Sequence, residues 1–571
     1  MKTMRFYALL ALLLFCGAKA FGQEWEISQD YRMTDDQREF FYDAVELSDG
    51  SIVLTYSHQF QNGDPSVRFY SHQPALMKLS AEGETLCQKD FFKPGYQAYP
   101  PYVFEDDATK GSLYALVAYN PDHDHSYFNY YRNYENPTDH SILALYKLDD
   151  DLSVVASHEH TIPIDTFEYR NQNNMFVQMN IPNEICGNIY LYSAIVDKAS
   201  IVGVYHKGVS YDDDVSQYNP RGNDTVFVFR MGFDGAIINK VGFEYPPTSG
   251  AILPQYFERR NQLVATDDGY ILYLTGIGLS MNPSSHARSA SYLDKDFNLL
   301  AEKNFHYSVE HTSPWCYNMS VKRSNHNKTY LCTQTTLPTN SGEDLMNCSL
   351  IEYDDDIANP SSILDPLRQV ERVSPMYKGR TPYLKGVDFV DENAIYFAYV
   401  LNDDTYGYSD SYLVLECLDT NFDTISTRYY DIAEEGAYSL AHCVLATKDG
   451  GVIIVFQSRK IIDQDHRWVT ITKFSKESFV GIDEAHNNGM KVAVAYPNPG
   501  KDVLNIRTGL KDARVEVYDM NGRMVYGQEI IDNVTAINTT SWPSGSYIWK
   551  VMAGTSTGSV TEAESGKWIK E

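Results

Sequence analysis

LSDGSIVLTYS (47–57), followed after a short gap by LMKLSAEGETLCQKDF (76–91), holds the unit from which most of this chain is built. In the first piece an apolar run leaves an acidic, glycine-containing turn. In the second, an apolar run enters the polar turn Ala81-Glu82-Gly83 and a further run leads away from it. Short stretches of Val, Ile, Leu and Tyr bounded by Asp, Asn and Gly read as β-strands and turns, and helical periodicity is nearly absent. The first piece recurs as TKGSLYALVAY (109–119), CGNIYLYSAIV (186–196), TDDGYILYLTG (266–276), NHNKTYLCTQT (325–335), VDENAIYFAYV (390–400) and TKDGGVIIVFQ (447–457). The second recurs as ALYKLDDDLSVVASHEH (144–160), FVFRMGFDGAIINKVGF (227–243), SYLDKDFNLLAEKNF (291–305), LIEYDDDIANPSSIL (350–364), LECLDTNFDTISTRYY (415–430) and TITKFSKESFVGI (470–482). The two alternate seven times at a spacing of about 65 residues.

Each unit can supply four short antiparallel strands, and a lone four-stranded sheet cannot bury both of its faces. Radial arrangement covers them. The units resemble the blades of secreted propeller repeats, although the blade tryptophan is missing throughout. The expected fold is therefore all-β: a seven-bladed β-propeller over residues 35–480, with a row of β-sandwiches as the alternative. A small Ig-like β-sandwich follows it.

Residues 1–22 stand outside this argument. Lys2 and Arg5 precede the apolar core Leu9 to Phe15, and small residues at Ala18 and Ala20 give an A-x-A cleavage pattern, with a second cut after Gly22. This is a secretory signal peptide, too short to span a bilayer. Cys16 suggests lipidation, but bulky Phe15 stands where a small residue is required. No later run is long enough for a transmembrane helix. Loss of Lys2, Arg5 and Lys19 takes the formal charge from −29 to −32, which repels phosphate backbones and argues against nucleic-acid binding. Seven cysteines remain (Cys87, Cys186, Cys316, Cys332, Cys348, Cys417 and Cys443), without a C-x-x-C pair. Cys316, Cys332 and Cys348 lie close enough in sequence for one bridge in an oxidising compartment, or serve as small buried residues.

GIDEAHNNG (481–489) reads as a linker within 481–490, and residues 491–571 as a compact β-unit expected to make few contacts with the body. A turn at Tyr496, Pro497, Asn498 and Pro499 precedes the strand Val503 to Ile506. In ARVEVYDMNGRMVYGQEI, Asn521-Gly522 has the composition of a type I′ turn. Gly545 and Tyr547 follow in PSGSYI, and Lys567 and Lys570 flank a terminal strand. In this order the motifs are similar to type A C-terminal sorting domains of the type IX secretion system. One departure is Gly566, where the basic cluster often seen before the end is thinned. The resemblance implies Sec export to the periplasm, capture by the outer-membrane type IX machinery, and passage to the cell surface or medium. There a sortase commonly removes the domain.

The body's own chemistry is less legible. Within residues 35–480, G-x-S-x-G, H-E-x-x-H, P-loop and EF-hand patterns are missing, and no catalytic, cofactor-binding or metal-ligating residue is assigned. The triplets Asp149–Asp151, Asp212–Asp214 and Asp354–Asp356 read as solvated hairpin tips in a chain with 76 acidic residues. PDHDHSYFNYYRNYENPTDH (121–140) concentrates Tyr127, Phe128, Tyr130, Tyr131 and Tyr134, aromatic rings suited to a sugar or protein ligand. His123 and His125 offer metal ligands, but spacing fixes no acidic or Cys partner for them, and an ordinary loop covering its neighbour is the plainer reading. The sequence ranks a surface binding protein for a glycan or protein first, and leans away from an enzyme. A propeller-type glycoside hydrolase or lyase comes next, then a structural cell-envelope component.

Overall fold

The computed structural model describes residues 23–32, 37–61, 70–106, 112–121, 140–163, 170–171, 188–208, 218–219, 225–244, 252–254, 262–278, 286–305, 319–324, 328–338, 344–354, 366–374, 385–402, 411–431, 437–460, 466–479, 490–496, 498–510, 513–554 and 560–570. Among these residues every regular element is a β-strand except the 3-10 turn Lys476–Phe479.

Among the described residues, seven antiparallel meanders and the short two-stranded pairing of Arg170–Asn171 with Tyr218–Asn219 make up the body. The first sheet runs Gln37–Glu46, Ile52–Gln61, Tyr70–Leu79 and Thr85–Asp90, and the second carries Tyr96–Ala98 and Tyr102–Glu105 on Leu113–Pro121, then His140–Leu148 and Val154–Pro163. Asn188–Asp197, Ser200–Gly208, Thr225–Gly232 and Ile237–Glu244 make the third. The fourth has Ile252–Pro254 and Gln262–Ala265 on Gly269–Gly278, then His286–Asp294 and Leu299–Phe305. The fifth is Met319–Arg323, Lys328–Pro338, Asp344–Asp354 and Pro366–Ser374, and the sixth is Val387–Asp388, Ile395–Asn402, Ser411–Leu418 and Thr424–Asp431. The seventh has Ala437–Ala446, Val452–Lys460 and His466–Phe474, and its fourth strand is Gln23–Arg32 from the far end of the chain. Nine residue pairs, among them Ile27 with Ile471, hold this junction. The strand lies ahead of the 35–480 span that the repeats define.

Three local departures from the repeat pattern follow. TITKFSKESFVGI is no hairpin: Lys476–Phe479 is a 3-10 turn, because Gln23–Arg32 already occupies that edge. CGNIYLYSAIV holds the leading strand of its sheet, one place earlier than in the other units. The strand paired with Asp344–Asp354 is Pro366–Ser374, beyond LIEYDDDIANPSSIL.

Each pair of successive sheets encloses a separate apolar core. Leu76 and Val53 meet Ala115 and Val117 between the first and second; Leu145 meets Ile201 and Phe229 between the second and third. Val204 meets Leu272 and Phe297, Tyr273 meets Leu331 and Ile351, and Leu350 meets Phe397 along the next three junctions. Leu415 meets Ile454 between the sixth and seventh, and Ile453 of the seventh meets Leu54 of the first. Polar side chains on the leading strands tie neighbours together. The backbone N–H of Leu263 donates to Ser193 Oγ (3.0 Å), Gly386 to Ser320 Oγ (2.9 Å) and Ala446 to Asp388 Oδ2 (3.0 Å). Asp388 is buried and also meets Lys322 Nζ and Lys385 Nζ, each at 2.8 Å. Burial would raise its carboxyl, but the two ammonium groups outweigh that and hold it at about 2.

One turn recurs throughout. In Leu47–Ser51 the N–H of Gly50 donates to Leu47 O (3.1 Å), that of Leu47 donates to Ser51 O (2.8 Å), and Gly50 has φ +84°. This is a type I turn closed by a left-handed residue. It returns at Ser80–Glu84, Asp149–Ser153, Gly232–Ala236, Asp294–Asn298, Asp419–Asp423 and Thr447–Gly451. In three of these turns a carboxylate at the first position caps the chain: Asp149 Oδ1 accepts from Asp151 N (3.1 Å) and Ser153 N (2.7 Å), and Asp294 and Asp419 do the same. Asp149–Asp151 is thus an exposed hairpin tip, as its place in the repeat implies; the other two triplets fall on or beyond the limits of the described residues. Cys332 and Cys348 are buried and not bridged to each other, and Cys186 and Cys316 lie outside the described residues.

Candidate functional site

The C-terminal domain is two facing sheets, one ordered Ala493–Tyr496, Val503–Thr508, Val534–Asn538, the other Met524–Glu529, Ala513–Asp519, Gly545–Gly554, Val560–Lys570. Leu504, Ile506, Val515, Val517, Trp549, Val551 and Trp568 fill the space between them. The motif residues mostly serve to fix the last strand. Asn498 Nδ2 donates to Lys567 O (2.9 Å) and Asn498 Oδ1 accepts from Ile569 N (2.9 Å), so one amide side chain substitutes for a missing strand neighbour. Gly500 N adds a bond to Ile569 O (2.9 Å), and the Asn498–Pro499 bond is cis. Lys570 is buried with its ammonium on Lys501 O, whereas Lys567 is exposed. Tyr547 donates to Pro543 O (2.7 Å) and packs on Trp542 and Trp568. Gly545 has φ +151°, and Pro497 lies outside the described residues.

Two expectations change here. Of Asn521 and Gly522 only Gly522 is left-handed (φ +78°), so the turn is not type I′. It is the same capped turn as in the body: Asp519 Oδ1 accepts from Asn521 N and Arg523 N, both at 3.0 Å. Gly566 has a steric reason, because a Cβ there would lie 2.7 Å from the Trp549 ring.

Residues 494–562 match the model of the secretion system C-terminal sorting domain family. The C-terminal domain is a type IX sorting domain. Its presence makes the secretion machinery a partner of this chain and marks it for export, to the cell surface or the medium. Among the described residues no helix is long and apolar enough to cross a membrane. No curated protein matches the chain. Among solved structures, a cobalt-substituted Synechocystis apocarotenoid oxygenase is similar at a TM-score of 0.35 and 9% identity, covering 70% of this chain and 92% of its own. A Penicillium chrysogenum α-L-arabinanase gives 0.34 and 9%, covering 81% and 98%. Nothing about activity follows from likenesses this distant.

The sorting domain is not the detached module that its linker suggested. Ala493–Tyr496 is buried at every position, with Ala493 and Ala495 in the sandwich core while Val494 and Tyr496 join Val414, Tyr399 and Tyr429 of the sixth sheet. Arg507, cross-strand from Val494, is buried among the charges and hydroxyls of Glu416, Tyr399, Tyr429 and Tyr496. Met490–Lys491 pairs with Tyr430 and Tyr429 and so becomes a fifth strand on that sheet. Burial pushes the Arg428 guanidinium down to about 10, opposed by Cys417 and by Glu564 of the sorting domain. The signal for this contact was in VAVAY, which lacks the polar alternation of a half-exposed strand.

The aromatic loop residues Tyr127, Phe128, Tyr130, Tyr131 and Tyr134 lie outside the described residues. Both roots of that loop are described. Tyr119 donates to Phe91 O (2.9 Å), and Tyr96 Oη and His140 Nε2 are 3.0 Å apart. Asn120 Nδ2 donates to Ile189 O (2.9 Å), while its Oδ1 accepts from Ile189 N (2.8 Å) and Ser141 Oγ (2.9 Å).

Proposed function

We propose that the body is a closed seven-bladed propeller, exported by the type IX route, that works outside the cell as a binding scaffold for a glycan or a protein. Support for the ring comes from the seven inter-sheet cores in cyclic order and from Gln23–Arg32 completing the seventh sheet. A signal-peptide cut after Gly22 leaves that strand whole. The observation that carries the binding reading is the anchoring of both loop roots. Tyr119 and Asn120 on one side and His140 and Ser141 on the other are bonded into the second and third sheets. Tyr127, Tyr130 and Tyr131 stand in sequence between these two roots, and aromatic rings of this kind suit a sugar or protein ligand. The sortase is a further expected partner, acting on the sorting domain after translocation.

The test is a glycan-array and polysaccharide-binding screen of the mature chain, with Tyr127→Ala/Tyr130→Ala/Tyr131→Ala as comparison. Stacking at about 1 kcal/mol or more per ring predicts a loss of binding of about 100-fold in the triple variant. Unchanged binding by that variant, or release of sugar products by the wild type, would overturn the reading.

A further inference from the structure

The contact between sorting domain and sixth sheet has the composition of a binding interface. Strand addition supplies main-chain pairing, with Lys491 opposite Tyr429 and Met490 opposite Tyr430. Val494 and Tyr496 supply an apolar centre against Tyr399, Val414 and Tyr429. Arg507 brings a buried positive charge to a wall where Arg372 forks onto Glu416 at 2.6 and 2.5 Å. Gly509 supplies shape: a Cβ there would stand 2.4 Å from Thr427 Oγ1, so the Thr427 side chain packs onto this position only because it is glycine. Central aromatic and arginine anchors surrounded by packed contacts are the features that hold protein complexes together.

We propose that this face of the sixth sheet is a standing docking site for the chain's own sorting domain. Cutting the chain between Phe479 and Met490 then leaves a noncovalent complex, not a released domain. Three consequences follow. Ala493–Tyr496 and the Asn505 and Arg507 side chains of the three-stranded sheet are covered while docked, so the secretion machinery meets the four-stranded sheet, the terminal strand and the exposed edge strand Val534–Asn538. Proteolysis alone does not free the body; undocking is a separate step. Once undocked, the body exposes the Thr424–Asp431 edge and the apolar patch around Tyr399 and Tyr429.

The experiment uses the mature chain with a specific protease site inserted in 481–489. Completeness of the cut is read on a denaturing gel and association by size-exclusion chromatography at micromolar concentration. The wild-type fragments should co-elute at the volume of the uncut chain. Gly509→Leu and Arg507→Glu should each weaken the complex about 100-fold and let the fragments separate. Circular dichroism and tryptophan fluorescence of the isolated C-terminal fragment, which carries Trp542, Trp549 and Trp568, check that the variants keep its fold. Wild-type fragments that separate on cutting overturn the proposal. So does co-elution of both folded variants to the same extent as the wild type, which would place the association elsewhere.

Discussion

Replacing Phe297 separates two physical effects that usually act together. Phe297 occupies the left-handed position of its turn (φ +70°), where the equivalent residues Gly50, Gly83 and Gly235 are glycine. Its ring is fully buried between the third and fourth sheets, 5.6 Å from the Tyr270 ring and under the Arg230 guanidinium. A side chain in that conformation costs about 1–2 kcal/mol, and loss of a buried phenylalanine ring costs about 3–5 kcal/mol. The ring therefore outweighs the strain. Phe297→Ala removes the ring and keeps the strain, losing about 3–5 kcal/mol. Phe297→Gly removes both, and should lie about 1 kcal/mol above the alanine variant even though glycine is normally the worse choice by a similar amount. Urea unfolding followed by tryptophan fluorescence, with slopes compared so that midpoints can be read as stabilities, measures the order. An alanine variant as stable as the glycine variant would refute the claim that strain is stored at this turn.

Asp388→Asn should remove at least about 2 kcal/mol at neutral pH, the value of a carboxyl held near 2 rather than 3.8. Because the folded-state value is depressed, that stability is present above about pH 4 and fades between about pH 4 and 2; acid titration of both proteins should show the wild type losing more over this window. Trp25→Ala should cost about 2 kcal/mol in urea midpoint analysis, since Trp25 Nε1 donates to Ala81 O (2.8 Å) and its ring fills the space over Gly83, which links Gln23–Arg32 to the first sheet. In the sorting domain, Gly566→Val should drive a side chain into Trp549 and lower both the domain's melting temperature and export. Asn498→Ala should free the last strand at a cost of about 1–3 kcal/mol, read as faster amide exchange at Ile569.

The repeat was legible because its punctuation is local. Asp419-Thr420-Asn421-Phe422-Asp423 carries its own cap and reverses the chain without help from elsewhere. Non-local strands left no such mark. Nothing in TITKFSKESFVGI records that Gln23–Arg32 takes the edge its second half was expected to fill. The left-handed Leu152, Phe297 and Phe422 were invisible for a related reason, since only burial against a neighbouring sheet makes a bulky residue tolerable there. The sorting motifs were read correctly as a set, yet their surface was misjudged. Tyr496 looked like part of a turn, and it is an anchor on the sixth sheet. Arg507 gave no sign from spacing alone that its charge is buried against another domain.

Fractionation of a type IX-competent host most directly tests the central claim that this chain is cargo carried out by its C-terminal domain. The account predicts the full-length protein on the cell surface or in the medium, and a chain ending at residue 489 retained in the periplasm. A reporter bearing residues 1–22 and residues 490–571 should travel outside, which covers the case in which the truncated body does not fold. Normal display of the truncated protein, or retention of the reporter in the periplasm, would contradict the account.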